Sequence, residues 1–94
     1  MPRYLVERLF HVSMDEMPMV GRRSKEVGVE NFPEITWEHS HVVVDDEGAV
    51  KTYCVYAAPS EEIVRRHAEE LGLHDLQGIY EIAGDVSPDD FPLD

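Results

Sequence analysis

Four short blocks of the chain are rich in apolar residues and predict β-strands. Aromatic and β-branched residues, which favour strands, are concentrated in these blocks. Between the second and third blocks, the acidic sequence Asp45-Asp46-Glu47-Gly48 predicts a turn that joins two antiparallel strands. The predicted strands are residues 4–10, 35–44, 50–57 and 79–83.

Two segments between these strands carry apolar residues at helical spacing. The first begins near Asp15, after a capping box that Ser13 and Glu16 can form, and we expect it to end at Gly28. The second covers residues 61–71, and its apolar stripe predicts a helix with one buried face. The chain therefore reads as strand, helix, strand, strand, helix, strand.

This order predicts an α+β protein with the ferredoxin-like βαββαβ fold. Two helices then cover one face of a four-stranded antiparallel sheet, with the first and third strands in the centre. Both faces of the third strand are apolar, with Thr52, Cys54 and Tyr56 on one face and Tyr53 and Val55 on the other. Because two helices cover only one face, we expect a homodimer of the α+β-barrel type, formed through the other sheet face.

Length and charge narrow the class of protein. The 94 residues allow one core, so we assign residues 1–86 to the domain and residues 87–94 to an acidic tail. Eight basic and 20 acidic residues give a net charge of −12, which argues against binding to nucleic acid or to an anionic membrane. With a single cysteine and no apolar run of membrane-spanning length, the chain is expected to be cytoplasmic.

Three stretches of the chain resemble one bacterial family. They are the opening Tyr4-Leu5-Val6-Glu7-Arg8, the central segment 51–59 with its Thr-Tyr-Cys-Val-Tyr sequence, and residues 62–72. The family consists of small ferredoxin-like proteins of unknown function, described as nickel-binding-like. The resemblance implies a dimeric ferredoxin-like fold and, for some members, binding of nickel or a similar divalent ion.

Two histidines on the second strand are candidate metal ligands. His39 and His41 are two residues apart, which places both rings on one face, about 6.5–7 Å apart along the backbone, and we expect Trp37 beside them. Imidazole suits nickel, copper and zinc, so the pair can chelate one ion. A third ligand has to come from the acidic hairpin, from His11 or from a partner chain. The alternative is a histidine pair on a surface or interface without a metal.

A second candidate site is a pocket between the sheet and the second helix. His67 faces the sheet, where its ring needs a hydrogen-bond partner such as Glu7, Tyr56 or Glu81. With Cys54, these residues suit proton transfer, as in a small α+β-barrel enzyme: an isomerase or a cofactor-independent oxygenase acting on an organic molecule. The alternatives are a core histidine with its polar atoms satisfied, an inert packed cysteine, and an interaction module without a ligand.

Overall fold

The structure is a computed structural model that describes residues 1–93, and it confirms the ferredoxin-like fold. Single 3-10 turns at Met14–Glu16 and Pro88–Asp90 supplement the main elements. In chain order, the strands and helices are β1 (Arg3–Phe10), α1 (Met17–Asn31), β2 (Thr36–Val44), β3 (Val50–Ala57), α2 (Glu61–Leu71) and β4 (His74–Glu81).

The four strands form one antiparallel sheet in the order β2-β3-β1-β4, so β1 and β3 are central as predicted. Both helices pack on one face, which we call the helix face. On that face Val6 lies opposite Cys54, and Val64 of α2 packs in the same core cluster. The other side of the sheet, which we call the open face, carries the alternate side chains of each strand.

The core consists of two adjoining clusters on the helix face. One joins the centre of β1 and β3 to α2, and the other lies at the end of the sheet where α1 begins. The first cluster contains Tyr4, Val6, Cys54, Tyr56, Ala58 and Val64, and the second contains Phe10, Val20, Val50 and Leu71. The predicted division of β3 into two faces is therefore confirmed.

Helix α1 begins as predicted and ends later than predicted. The backbone N–H of Ser13 donates to the Glu16 carboxylate at 3.1 Å, as a capping box requires. The helix then continues past Gly28 to Asn31. Gly28 has no positive φ, so it does not act as a helix terminator here. Pro33 sets the end, because the residue before a proline avoids the helical conformation.

Strand β4 starts at His74, five residues before the predicted start at Ile79. A β-bulge hides this strand in the sequence, because Glu7 pairs with Gly78 whereas Arg8 pairs with Leu76, which leaves one extra residue in β4. Leu76 and Ile79 consequently both pack against the core although they are three residues apart. The alternation that identifies a strand is broken at this point.

A second bulge in β2 separates Trp37 from the two histidines. Trp37 pairs with Tyr56 and His39 pairs with Val55, so Glu38 is the extra residue. Its carboxylate accepts hydrogen bonds from Arg3 at 2.8 and 3.0 Å, which lowers the pKa of Glu38. Trp37 therefore lies on the helix face and the histidines on the open face. The prediction that they lie side by side is wrong.

The segment after β4 extends along the surface. Residues 87–93 of the predicted tail are exposed, and Asp94 lies outside the described residues. Across residues 1–93, no helix has the length and apolar character needed to span a bilayer.

Candidate functional site

A cleft of about 360 Å³ opens between α1 and the β2–β3 half of the sheet. Trp37 and Tyr56 form its sheet side, His67 of α2 its inner end, and Ser24 and Val29 of α1 its opposite wall. Its volume falls within the range of roughly 300–1,000 Å³ that small-molecule sites occupy. The cleft is therefore large enough to hold a small organic molecule.

A deeper cavity of about 140 Å³ shares walls with this cleft. Trp37, Tyr56 and Ser24 line both spaces, and Arg8 and Cys54 line the cavity alone. The cavity exists because α1 stands away from the β2 edge of the sheet, where Val42 is 46% exposed despite lying on the helix face. Polar groups of the sheet thus meet an unfilled space inside the domain.

Arg8 is the unexpected member of this cavity. It is only 2% exposed, and within the described chain neither Nε nor Nη2 has a hydrogen-bond partner. Its guanidinium carbon lies 5.3 Å from the centre of the Tyr56 ring. Arginine stays protonated inside proteins, so this is a buried positive charge without a carboxylate partner, and such charges are costly.

The position of Arg8 in the sequence is compatible with burial but does not predict it. In β1 the side chains of Val6, Arg8 and Phe10 share one face, so an arginine lies between two core positions. Leu5, Glu7 and Leu9 form the other face, which has the same apolar character with one charge. The strand alone therefore does not tell which of the two charged residues is buried.

The hydroxyl group of Tyr56 also faces the cavity without a partner of good geometry. Burial raises the pKa of Tyr56 to about 12, with the nearby charge of Arg8 acting in the opposite direction. The hydroxyl consequently stays protonated and remains a donor. Two neighbouring buried groups, Arg8 and Tyr56, thus offer protons to an acceptor that the described residues do not supply.

Cys54 lies in the same cavity, as expected for the pocket candidates on β3. Its Sγ is 3.5 Å from Oγ1 of Thr52, and the residue is 4% exposed. Ser40 lies opposite Cys54 across the β2–β3 pair, and its Oγ accepts a hydrogen bond from Trp37 Nε1 at 2.8 Å. The Ser40 hydroxyl hydrogen therefore remains free to donate.

His67 is buried as predicted, but its partner lies in α1 and not in the sheet. Nε2 donates to the backbone carbonyl of Ser24 at 3.2 Å, which leaves Nδ1 with a lone pair and no partner among the described residues. The ring packs 5.8 Å from that of Tyr56. Glu7, Tyr56 and Glu81, the partners considered from sequence, do not accept this hydrogen bond.

Two carboxylates that were expected in the pocket lie elsewhere. Glu7 is on the open face, where Tyr53 donates to its carboxylate at 3.4 Å. Glu81 is exposed on the edge strand β4 opposite Tyr4 and lines neither the cleft nor the cavity. Tyr56 therefore lines both spaces, Cys54 only the cavity and His67 only the cleft, and Glu7 lines neither because the alternation along β1 turns it outward.

The two histidines of β2 lie next to each other on the open face. The ring centroids of His39 and His41 are 5.5 Å apart and the ring planes are nearly perpendicular. Leu5 of β1 lies level with His39 in the sheet, because both pair with Val55. His11 is six residues beyond Leu5, which is roughly 20 Å along the strand direction, and its Nε2 lies 3.1 Å from the Asp75 carboxylate. Within residues 1–93 of one chain, no group of three side chains is arranged to hold a metal ion.

The sequence model of a protein family described as "Nickel responsive protein SCO4226-like" matches residues 4–82. The chain belongs to this SCO4226-like family. The search of curated proteins found no match. Membership agrees with the family resemblance noted from residues of β1, β3 and α2.

Solved structures similar to this SCO4226-like chain share its fold at low sequence identity. SCO4226 from Streptomyces coelicolor A3(2) aligns over 89% of this chain and 99% of its own, with a TM-score of 0.65 and 20% identity. The C-terminal domain of MgtC from Mycobacterium tuberculosis covers 88% and 87%, with a TM-score of 0.59 and 15% identity. SnoaB, a cofactor-independent oxygenase from Streptomyces nogalater, covers 93% and 97%, with a TM-score of 0.53 and 16% identity. These matches establish the ferredoxin-like α+β fold.

The buried ring of His67 gives the SCO4226-like chain a predictable response to acid. Burial lowers the pKa of His67, and that of His74, in the folded state. Below about pH 6.5, the usual histidine pKa, the unfolded chain therefore binds more protons, and stability falls as the pH drops. We expect His67→Gln to make urea-unfolding free energies less sensitive to pH between about 7 and 5.

A surface substitution that leaves every histidine in place provides the control for this measurement. Met19→Gln changes a side chain of α1 that is 54% exposed and does not ionise, so it should keep the pH dependence of the original chain. A His67→Gln protein whose stability falls with acid as steeply as that of the original chain would contradict the assignment.

Proposed function

We propose that the protein is a homodimer that binds nickel or a similar divalent transition metal through His39 and His41. The observation that carries the proposal is the adjacency of the two imidazole rings on the open face of the sheet. Membership of a family described as nickel-responsive supports the choice of metal. Imidazole nitrogen is a ligand that nickel, copper and zinc all accept.

The separation of the rings fits a shared ion. With metal–nitrogen bonds of about 2.1 Å, two imidazoles that share one tetrahedral ion have ring centroids roughly 5 Å apart. The observed 5.5 Å requires only small rotations of the two exposed side chains. His39 and His41 would therefore supply two neutral nitrogen ligands, and a bound ion would in turn hold both rings in one orientation.

A second copy of the chain would supply the remaining ligands. Leu5, Tyr53 and Val55 form an apolar centre on the open face, which a twofold-related copy would cover. The same face carries Glu7, a carboxylate that stands across Tyr53 from His41. A dimer of two such faces brings two histidine pairs and two carboxylates into one interface, whereas one chain offers only a pair of nitrogens.

Metal analysis of protein purified without an affinity tag tests the proposal. The protein is dialysed to equilibrium against nickel and then against metal-free buffer, and the retained nickel is measured per chain. We expect the original chain to retain nickel in a fixed ratio and the His39→Ala/His41→Ala protein to lose it. Two lost ligands out of a small set remove most of the binding free energy.

His11→Asn is the matched control, because His11 is also an exposed histidine but lies at the other end of β1. Its nickel content should equal that of the original chain. Equal retention by the double variant and the original chain would exclude the β2 site, and absence of nickel from the original chain would exclude nickel binding altogether.

The alternative function, an enzyme acting on a small organic molecule, is favoured by the cleft beside α1. Cys54 and Tyr56 line its deeper cavity, and His67 lines the cleft itself. Glu7 and Glu81, the carboxylates considered for proton transfer, lie outside it. An isomerase or oxygenase of this kind would therefore rely on His67 Nδ1 as its base. Conversion of a substrate that is lost in His67→Gln would support this function.

A further inference from the structure

We infer that the cavity between α1 and the sheet is a binding site for a small organic carboxylate with an apolar body, held by Arg8 and Tyr56. This site lies on the helix face, on the opposite side of the sheet from His39 and His41. It does not depend on the proposed metal site, and each can be disproved without affecting the other.

Arg8 is a buried charge without an ionic partner in the described chain. Arg8 is 2% exposed, and within residues 1–93 neither Nε nor Nη2 has a hydrogen-bond partner and no carboxylate forms an ion pair with the guanidinium. Buried arginines are normally paired with carboxylates or phosphates, since the cost of removing the charge from water has to be offset. In this domain the space next to the guanidinium is a cavity, so the missing partner has room to bind there.

Two hydroxyl groups near Arg8, those of Tyr56 and Ser40, can donate hydrogen bonds into the same cavity. The Tyr56 hydroxyl is protonated, has no hydrogen-bond partner of good geometry within residues 1–93, and lies on a residue that lines the same cavity. Ser40, whose oxygen already accepts from Trp37, has a hydrogen left to donate. A planar carboxylate accepts from a guanidinium through two oxygens and has further lone pairs for hydroxyl groups, which matches this set of donors.

The walls that the cavity shares with the cleft suit a ligand with an apolar body. The cavity shares Trp37 and Tyr56 with the cleft of about 360 Å³, whose walls also include Val29 and Ile35. A molecule whose carboxylate reaches Arg8 therefore extends between two aromatic side chains toward the outer opening. Aromatic walls of this kind favour a flat apolar body, and an inorganic anion would leave them unfilled.

The net charge of the chain affects how an anionic ligand would be attracted to this site. The chain has a net charge of −12, which repels anions at long range. Attraction has to come from the local charge of Arg8, which is stronger at a buried side chain than at the protein surface. The site is therefore selective for a ligand that is anionic at one end and able to enter the cavity.

Tryptophan fluorescence gives a direct readout, because Trp37 is the single tryptophan of the chain and lines both spaces. We would titrate the tag-free protein with benzoate, with its neutral analogue benzamide and with inorganic phosphate. Benzoate should change the emission in a saturable way and raise the melting temperature. Benzamide, which has the same shape without the charge, should bind about tenfold or more weakly.

Variants at two arginines separate the buried charge from arginines in general. Arg8→Met should abolish the benzoate response without lowering the melting temperature of the free protein, because it removes an unpaired buried charge. Arg8→Lys should restore part of the response. Arg66→Met, which removes an exposed arginine paired with Glu62, should bind benzoate like the original chain.

Three results would overturn the inference. Equal binding of benzoate and benzamide would remove the role of the charge, and a response to phosphate alone would assign the site to inorganic anions. Absence of any response in the original chain would leave Arg8 as a structural residue. All three comparisons use the unaltered protein, so they stand even where Arg8→Met fails to fold.

Discussion

Val43→Glu is expected to convert the proposed homodimer into monomers. Val43 is 39% exposed on the open face, opposite Lys51, so a glutamate there is tolerated by the single chain. In a dimer formed through this face, the carboxylate would be buried against the open face of the partner, and unpaired buried charge is costly. Analytical ultracentrifugation at micromolar concentration should show the mass of one chain. Adding Tyr80→Glu at the opposite edge should complete the dissociation.

The neighbouring residue offers a matched control. Val44 is 53% exposed, lies on the same strand and faces the other side of the sheet. Val44→Glu is the same chemical change on the other face of the sheet, so the Val44→Glu protein should remain dimeric. Dimers in both variants would place the interface away from the open face, and monomers in the original chain would exclude the homodimer. Circular dichroism checks that each variant keeps its secondary structure.

Leu71→Ala is expected to cause the largest loss of stability among single substitutions considered. Leu71 is 1% exposed and packs with Phe10, Val20 and Val50, so truncation leaves a cavity between α2 and the start of α1. Such changes typically cost about 2–5 kcal/mol of the free energy of unfolding. For a chain of this length the melting temperature should fall by roughly 10 °C or more, measured at a fixed protein concentration.

Leu73 provides the comparison two residues away. It is 43% exposed, and Leu73→Ala removes the same atoms from a position that buries far less surface. Its φ of 67° is the single positive value at a non-glycine residue in the described chain, and alanine retains that strain. The melting temperature should change by only a few degrees. An equal loss in both variants would show that burial at Leu71 is not what stabilises this end of the core.

The elements that local sequence patterns determine were predicted well. Strand β3 was assigned with its observed bounds, because strong strand formers lie between an acidic turn and Pro59. Helix α2 was equally clear, since Ser60 caps it and Gly72 ends it with a φ of 67°. The two-sided character of β3 also identified the open face, which led to the expectation of a dimer.

The features of the sheet that were not predicted arise from two β-bulges, each of which adds one residue to a strand. The bulge at Glu38 turns Trp37 to the opposite face from His39, and the bulge in β4 delayed the predicted start of that strand. Each changes the facing of a whole segment by one residue, which a period of two does not anticipate. The pairing of Glu38 with Arg3 that accompanies the first bulge involves residues 35 positions apart.

Of the two candidate sites, the histidine pair was predictable from the sequence and the buried arginine was not. The histidine pair was found from spacing alone, because two residues apart on a strand means one face. The buried position of Arg8 was not predicted, because residues 5–10 of β1 give two apolar faces that each carry one charged residue. Only the packing of the helices decides that Arg8 is buried and that Glu7 remains on the open face.

The two sides of the sheet thus carry different chemistry. The open face holds the histidine pair and Glu7 within an apolar surface suited to a second copy, and the helix face holds a cavity with a buried positive charge. The metal site is the central proposal, since it joins the family, the fold and the oligomer in one explanation.

Diffraction data collected at the nickel absorption edge from crystals of the tag-free, nickel-loaded protein test that proposal most directly. We expect an anomalous peak between the rings of His39 and His41, within about 2.1 Å of one nitrogen of each ring, at the interface of two copies. A nickel peak located only at other side chains, such as His11 with Asp75, would contradict it.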